Sequence, residues 1–263
     1  MNKDISKNLV RLHSQIFGDS ANPKLLILHG LFGSSANWRS VARRLSSSHK
    51  VFCLDLRNHG QSPWHDDMSY PAMARDVVQF MLDNHLQGSA VIGHSMGGKT
   101  AMMLAQEQNI ELAKLLVVDI APVTYRYTHL DMIDAMQAID FTTVTSRKQI
   151  DDLLSVRIPD PATRQFLTQN LKKDGDYYSW RINLDAIRQN MYSLISYEND
   201  LTSPVDALFV AGSNSNYIGH EYHSEVFKRF PGARIETIEN SGHWLHAEQP
   251  ARFIALCNSF LAD

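Results

Sequence analysis

Ser89-Ala-Val-Ile-Gly-His-Ser-Met-Gly-Gly98, running on into Lys99-Thr-Ala-Met-Met-Leu-Ala105, is the stretch whose reading decides the fold. Its first half is a short apolar run that reads as a buried strand, and its second half is rich in the good helix formers Ala, Met and Leu. The junction Gly93-His94-Ser95-Met96-Gly97 matches G-x-S-x-G, a motif whose confirmation is a strand entering a helix through a very tight turn. Side chains at positions 93 and 97 would collide in such a turn, and the serine is pushed into a strained backbone conformation that turns its hydroxyl outward. Ser95 also opens a helix, where backbone N–H groups and the dipole favour developing negative charge. An incidental serine in an ordinary βα turn is the competing reading, and the context favours a nucleophile.

Outward from this point the chain alternates short apolar runs with amphipathic stretches, which predicts a parallel sheet flanked by helices. Upstream, strands are expected at Lys24–Leu28 and Val51–Leu56, helices at Ala36–Leu45 and from Pro71 onward, and an antiparallel edge strand within Leu9–Phe17. The helix after Ser95 is expected to run from Met96 to Gln108. Downstream, Ala113–Ile120 reads as a strand, and then the rhythm stops. From about Thr128 to Tyr197 only helical patterns are found, broken by Pro159 and Pro161. Beyond Ser203-Pro204 it resumes with a strand at Ala207–Ala211, a helix at Tyr222–Phe230, a strand at Arg234–Ile238 and a closing helix at Pro250–Leu261. Residues 1–121 and 203–263 are therefore read as one α/β core domain, and 122–202 as a helical cap inserted into it.

Composition narrows the function. In 263 residues there are 25 Lys+Arg against 28 Asp+Glu, a net charge of −3 with no basic block, which argues against nucleic acid or an acidic membrane as partner. No stretch approaches the roughly 18 uncharged apolar residues of a membrane span, and Met1–Phe17 lacks the profile of a secretory signal. The two cysteines, Cys53 and Cys257, lie in apolar runs and read as buried reduced thiols, so a cytoplasmic protein acting on small molecules is expected. Oligomeric state is expected to be a monomer or weak homodimer.

A serine hydroxyl needs an adjacent base. Of the twelve histidines, His243 in Glu239-Asn-Ser-Gly-His-Trp244 stands in a Gly-containing loop after the last predicted strand and before the last helix, from which it reaches over the sheet edge. The histidine in turn needs a carboxylate to hold its tautomer. The usual supplier, the loop after Ala207–Ala211, reads Gly212-Ser-Asn-Ser-Asn216 and holds no acid. Asp119, closing Leu115-Leu-Val-Val-Asp119, is the candidate that remains, because a carboxylate ending an aliphatic run is costly to bury unpaired. A cap for Ala121-Pro122, or a strand end facing solvent, is the alternative. Ser215 would then share hydrogen bonding with His243 or Asp119. His29-Gly-Leu-Phe-Gly33 supplies a glycine-rich loop, so the amides of Leu31 and Met96 are the expected oxyanion donors. Phe32 and Trp244, beside these elements, are the expected substrate contacts. His29, His59 and His94 are read as structural, Asp55 as an ion-pair partner of Arg57, and His246 as a helix start or core residue. Neither His243-x-x-His246 nor His220-x-x-His223 has a carboxylate at metalloprotease spacing, so no metal is expected.

These motifs, HGLFGS (29–34), DLRNHGQS (55–62), GHSMGG (93–98), VVDIAPV (117–123), WRINLDAI (180–187), GSNSNYI (212–218) and GHWLHAE (242–248), resemble the α/β-hydrolase superfamily, and more narrowly the bacterial YbfF-type esterases with their eukaryotic relatives. The resemblance spans residues 29–248. It implies an α/β-hydrolase fold, a mostly parallel sheet with an inserted helical cap, and a serine carboxylesterase working on short- to medium-chain acyl esters without metal or organic cofactor. It also implies, independently of the elimination above, that Asp119 is the acid and Ser215 the serine at the vacated acid position. Gln61, where arginine is common, and Ser213, where glycine is common, depart from the pattern without touching these residues. An acyl-CoA thioesterase or a carbon–carbon bond hydrolase would use the same three residues, the thioesterase drawing on cap cations such as Arg126, Arg147, Lys148, Arg157 and Arg164.

Overall fold

The computed structural model describes residues 8–107 and 110–262. Six strands form a parallel sheet: β2 (Lys24–Leu28), β3 (Lys50–Asp55), β4 (Ala90–His94), β5 (Leu115–Val118), β8 (Ala207–Gly212) and β9 (Arg234–Ile238). β1 (His13–Phe17) joins antiparallel at one edge, giving the order β1-β3-β2-β4-β5-β8-β9. The predicted edge strand is thus present at the end of its segment, and the chain adopts the α/β-hydrolase fold.

The strands read as unbroken apolar runs because both faces of the sheet are covered. Leu25 and Ile27 of β2 face one way, onto Val41, Ala42 and Leu45 of α1 (Arg39–Leu45) and Phe253, Cys257 and Phe260 of the closing helix (Pro250–Ala262). Leu26 and Leu28 face the other way, in one core with Met73 and Val77 of α2 (Tyr70–Asp83) and Met102 of α3 (Met96–Ala105). α1 follows a 3₁₀ turn over Ser35–Trp38 rather than starting at Ala36, and α3 ends at Ala105. Gln108, the expected end of that helix, lies outside the described residues. Both thiols are free and buried, and no helix among the described residues is long and apolar enough to cross a membrane.

Between the neighbouring strands β5 and β8 the chain makes α4 (Leu130–Gln137), α5 (Arg147–Ser155), α6 (Pro161–Leu167), α7 (Leu184–Gln189) and α8 (Met191–Ile195). One expectation fails here. The stretch is not wholly helical: β6 (Leu171–Asp174) and β7 (Tyr177–Trp180) form a two-stranded antiparallel hairpin. Its turn carries Asp174-Gly175, with Gly175 at φ +58°, the conformation a tight hairpin demands. The whole segment is tied to the loops at the sheet's C-terminal edge by side chains reaching backbone. Asn170 Nδ2 donates to Phe32 O (2.8 Å), Trp64 Nε1 to Arg181 O (3.1 Å), Asn190 Nδ2 to Asp66 O (2.7 Å) and Tyr70 Oη to Leu194 O (2.7 Å).

Candidate active site

Ser95 sits at the turn from β4 into α3 with φ 51° and ψ −117°, a backbone conformation that only an over-determined site sustains. The neighbouring glycines explain how. A Cβ on Gly93 would strike the carbonyl of Gly97, and a Cβ on Gly97 would strike the backbone of Leu28 and His29. The turn is therefore packed backbone to backbone between β4, α3 and the end of β2.

Asp119 follows β5 and is likewise at positive φ, 51°. Its amide continues the ladder to Val210 O (2.8 Å), so the carboxylate is delivered at the sheet edge, where it is fully buried. Three donors meet it. Gly212 N–H reaches Oδ1 at 3.1 Å, Ser215 Oγ–H reaches Oδ2 at 2.5 Å, and His243 Nδ1 lies 2.7 Å from the same Oδ2. The reading of Asp119 as a helix cap or a solvent-facing strand end does not survive, and Ser215, in the loop after β8, bonds the carboxylate directly. With Nδ1–H given to Asp119, the other nitrogen of His243 carries the free lone pair.

The His243 loop is held on two further sides. Tyr217 stacks on its ring (centroids 4.2 Å, 27° between planes), and His94 Nε2 bonds to the carbonyl of His243 at 2.9 Å. Burial and the neighbouring imidazoles hold His94 well below the usual histidine range, so it is a neutral donor to that carbonyl. His246, buried and stacked on Trp38 at 4.2 Å, is a core residue; burial and the nearby His243 bring its pKa down to about 3.

Ser95, His243, Phe32 and Trp244 line one cavity of 170 Å³, together with Leu31, His94, His129, Met132, Thr163, Phe166 and Tyr217. Leu31 and Met96 flank Ser95 in a second, smaller cavity. The amide of Phe32 is turned to His59 Nε2 (3.3 Å), so it does not face the serine. His59 Nδ1 in turn bonds Arg57 O (2.9 Å), and His29 bridges Gly30 O (2.8 Å) and Leu56 N (3.0 Å), so both are structural as expected. Burial brings the pKa of His59 down to about 3.

The expected Asp55–Arg57 ion pair is absent. The loop after β3 curls back so that Asp55 accepts the amides of Ser35 (2.6 Å) and Gln61 (2.9 Å). Arg57 instead makes a two-pronged pair with Asp76 of α2, at 2.6 and 2.8 Å, with both side chains fully buried.

Two residues near the serine were not singled out from sequence. Lys99, one helical turn after Ser95, is buried without a carboxylate, and its ammonium donates to the carbonyls of Val123 (2.8 Å), Ile195 (2.8 Å) and Ser196 (3.0 Å). Burial lowers its pKa to about 7. The available signal was a lone cation inside the apolar run of α3. Tyr217 carried a weaker one, its place two residues after Ser215.

A mostly parallel sheet with a strained serine between β4 and α3, and with a carboxylate–histidine pair at the same edge, defines an α/β hydrolase. The chain belongs to that family: residues 25–256 match the model of the alpha/beta hydrolase family. It is 38% identical over 256 residues to the mouse (Mus musculus) sn-1-specific diacylglycerol lipase ABHD11, covering 93% of this chain and 83% of that protein. It is 33% identical over 243 residues to esterase YbfF of Escherichia coli, covering 92% and 94%. A solved structure of a marine microorganism esterase superposes with a TM-score of 0.92 at 39% identity, covering 95% of this chain and 99% of the other.

Proposed function

We propose that this enzyme is a serine carboxylesterase that hydrolyses short- to medium-chain acyl esters through an acyl-enzyme on Ser95. Its relatives are named esterases and lipases, and the chain is an enzyme of that carboxylic ester hydrolase class. The observation that carries the finer reading is the bond from His243 Nδ1 to the buried Asp119 carboxylate at 2.7 Å, with His243 and Ser95 facing one cavity.

In this reading His243 takes the Ser95 proton as Oγ adds to the ester carbonyl, and Asp119 stabilises the imidazolium without itself being protonated. The oxyanion is held by the amides of Leu31 and Met96. The C–O bond to the alcohol then breaks, and His243 returns the proton to the departing oxygen. Water, deprotonated by the same histidine, attacks the acyl-enzyme, releases the carboxylic acid and regenerates Ser95. Residues 122–202 serve as a cap over the serine, supplying Met132 and Phe166 to the cavity wall, while 1–121 and 203–263 form the catalytic core. Free buried thiols fit a reducing compartment such as the cytoplasm. Of the five cap cations that an acyl-CoA thioesterase would draw on, Arg147, Lys148 and Arg164 are engaged with the Thr168 and Leu171 carbonyls, Asp152 and Asp151 respectively, which leaves Arg126 and Arg157 to that reading.

The test is turnover of p-nitrophenyl butyrate. Ser95→Ala should lower kcat by about 10⁶-fold. Retention of activity within about tenfold of wild type in a folded Ser95→Ala variant would refute the assignment.

A further inference from the structure

We propose that Lys99 is a positioning residue for the reaction: its ammonium fastens both stems of the cap to the helix that carries Ser95, and so holds the cap-borne walls of the substrate cavities in place over the nucleophile. This rests on the reading of Ser95 as the nucleophile and of residues 122–202 as the cap.

The amide of Lys99 donates to Ser95 O at 3.0 Å in the first turn of α3, so the two residues share one helical turn. The Lys99 side chain runs from there to the two places where the chain leaves the core and returns to it. Val123 stands on the outgoing stem, Ile195 and Ser196 on the returning one, and the ammonium donates to their carbonyls at 2.8, 2.8 and 3.0 Å. An ammonium has three donors and no acceptor, so all of its hydrogens are directed at the stems. The stems are also joined to each other at this point, with Tyr125 N–H on Ile195 O (3.0 Å), and to α2, with Tyr70 Oη on Leu194 O (2.7 Å). The rings of Tyr125 and Tyr70 lie 4.8 and 5.7 Å from the ammonium, close enough for cation–π attraction.

A buried cation without a carboxylate opposes folding, so it is an expensive way to join two loops. The far end of α3 makes a comparable join with a neutral side chain: Gln106 Nε2 donates to Leu201 O, and its Oε1 accepts from Tyr197 Oη (2.8 Å) and Asn199 Nδ2 (2.7 Å). What sets position 99 apart is what hangs from the stems it holds. Tyr125, Leu194 and Ile195 line the smaller cavity beside Ser95. The outgoing stem runs on into α4, where His129 and Met132 line the larger one. Movement of either stem is therefore movement of a wall that faces the nucleophile. Asp119 and His243, by contrast, are held by Gly212, Ser215, Tyr217 and His94, all of the core. Slack in the stems thus weakens substrate binding and leaves proton transfer in place.

Lys99→Met keeps the apolar length of the side chain and removes its donors. On p-nitrophenyl butyrate it should raise KM by about tenfold and keep kcat within about threefold of wild type, the pattern of lost binding rather than of a lost transition-state contact. Lys99→Gln restores two donors and should raise KM by only about threefold; it carries the test if Lys99→Met does not fold. Gln106→Ala cuts the comparable join at the other end of α3 and should lower Tm while KM stays within about twofold of wild type. Hydrogen exchange read by mass spectrometry follows the fastening without turnover: peptides covering 122–127 and 195–199 should exchange at least about tenfold faster in Lys99→Met, with 24–28 unchanged. A KM within about twofold of wild type in folded Lys99→Met, a fall in kcat with KM unchanged, or stems that exchange as in wild type overturns the proposal and leaves the esterase reading intact. An equal rise of KM in Gln106→Ala also overturns it, by making Lys99 one strut among several. No ester turnover by the wild type removes the esterase reading, and the role of Lys99 in the reaction falls with it, whatever the exchange shows.

Discussion

Replacing Asp119 by asparagine keeps the side chain's shape and exchanges one acceptor oxygen for a donor. Three groups now converge on the carboxylate: Gly212 N–H on Oδ1, and Ser215 Oγ–H with His243 Nδ1 on Oδ2. A hydroxyl can reverse its hydrogen and an imidazole can change tautomer, but a backbone amide can only donate. The amide of asparagine therefore settles with its oxygen toward Gly212 and its NH₂ toward His243. His243 must then accept at Nδ1, so its proton moves to Nε2, the nitrogen that has to take the proton of Ser95. A base frozen in the wrong tautomer loses about 10⁴-fold in kcat, equivalent to about 5 kcal/mol of activation free energy. Initial rates on p-nitrophenyl butyrate measure it, with circular dichroism to show that the variant is folded. Ser215→Ala removes one donor and leaves the tautomer alone, so its kcat should fall by only about tenfold, in line with one hydrogen bond to a charged group of about 1.5 kcal/mol. A folded Asp119→Asn variant within tenfold of wild type, or a Ser215→Ala variant more damaged than Asp119→Asn, would refute this assignment of the acid.

Two stability predictions follow from buried cations. Burial lowers the pKa of Lys99 from 10.5 to about 7, so between those values the unfolded chain holds a proton that the folded chain has released. Folding stability contributed through Lys99 therefore rises as pH increases across that window, by about 2 kcal/mol from about pH 6.5 to about pH 8.5. Urea unfolding of wild type and Lys99→Met should show this rise only in the wild type, and equal pH slopes would contradict it. At the Arg57–Asp76 pair, burial lifts Asp76 above the usual carboxylate range even beside the guanidinium, so desolvation outweighs attraction there. Asp76→Ala strands Arg57 and should cost about 3–5 kcal/mol, with much of it recovered in Arg57→Met/Asp76→Leu. A loss under about 1 kcal/mol for Asp76→Ala would show that the pair matters little.

The parts of the fold legible in the sequence were those whose signal is local. Parallel strands buried on both faces, such as Leu25–Leu28, leave continuous apolar runs, and the tight turn at Ser95 needs glycines at 93 and 97. Asp119 was legible for a different reason, a carboxylate where an aliphatic run ends combined with the absence of an acid in 212–216. The hairpin at 171–180 was missed because Lys172, Lys173 and Asp174 are exposed, which leaves little alternation to read, although Asp174-Gly175 marked its turn. Arg57 misled because proximity in sequence is not proximity after a turn: its partner, Asp76, is 19 residues away. Lys99 offers only a lone cation in an apolar run, and the partners that hold it are out of reach of the sequence, since its acceptors lie 24, 96 and 97 residues along the chain.

The central claim is that Ser95 forms the covalent intermediate with His243 as its base. Incubation with a fluorophosphonate, followed by peptide mapping by mass spectrometry, tests it most directly. A single adduct on the peptide bearing Ser95 is predicted, absent in Ser95→Ala and strongly slowed in His243→Ala. An adduct on another residue, or undiminished labelling of Ser95→Ala, would contradict it.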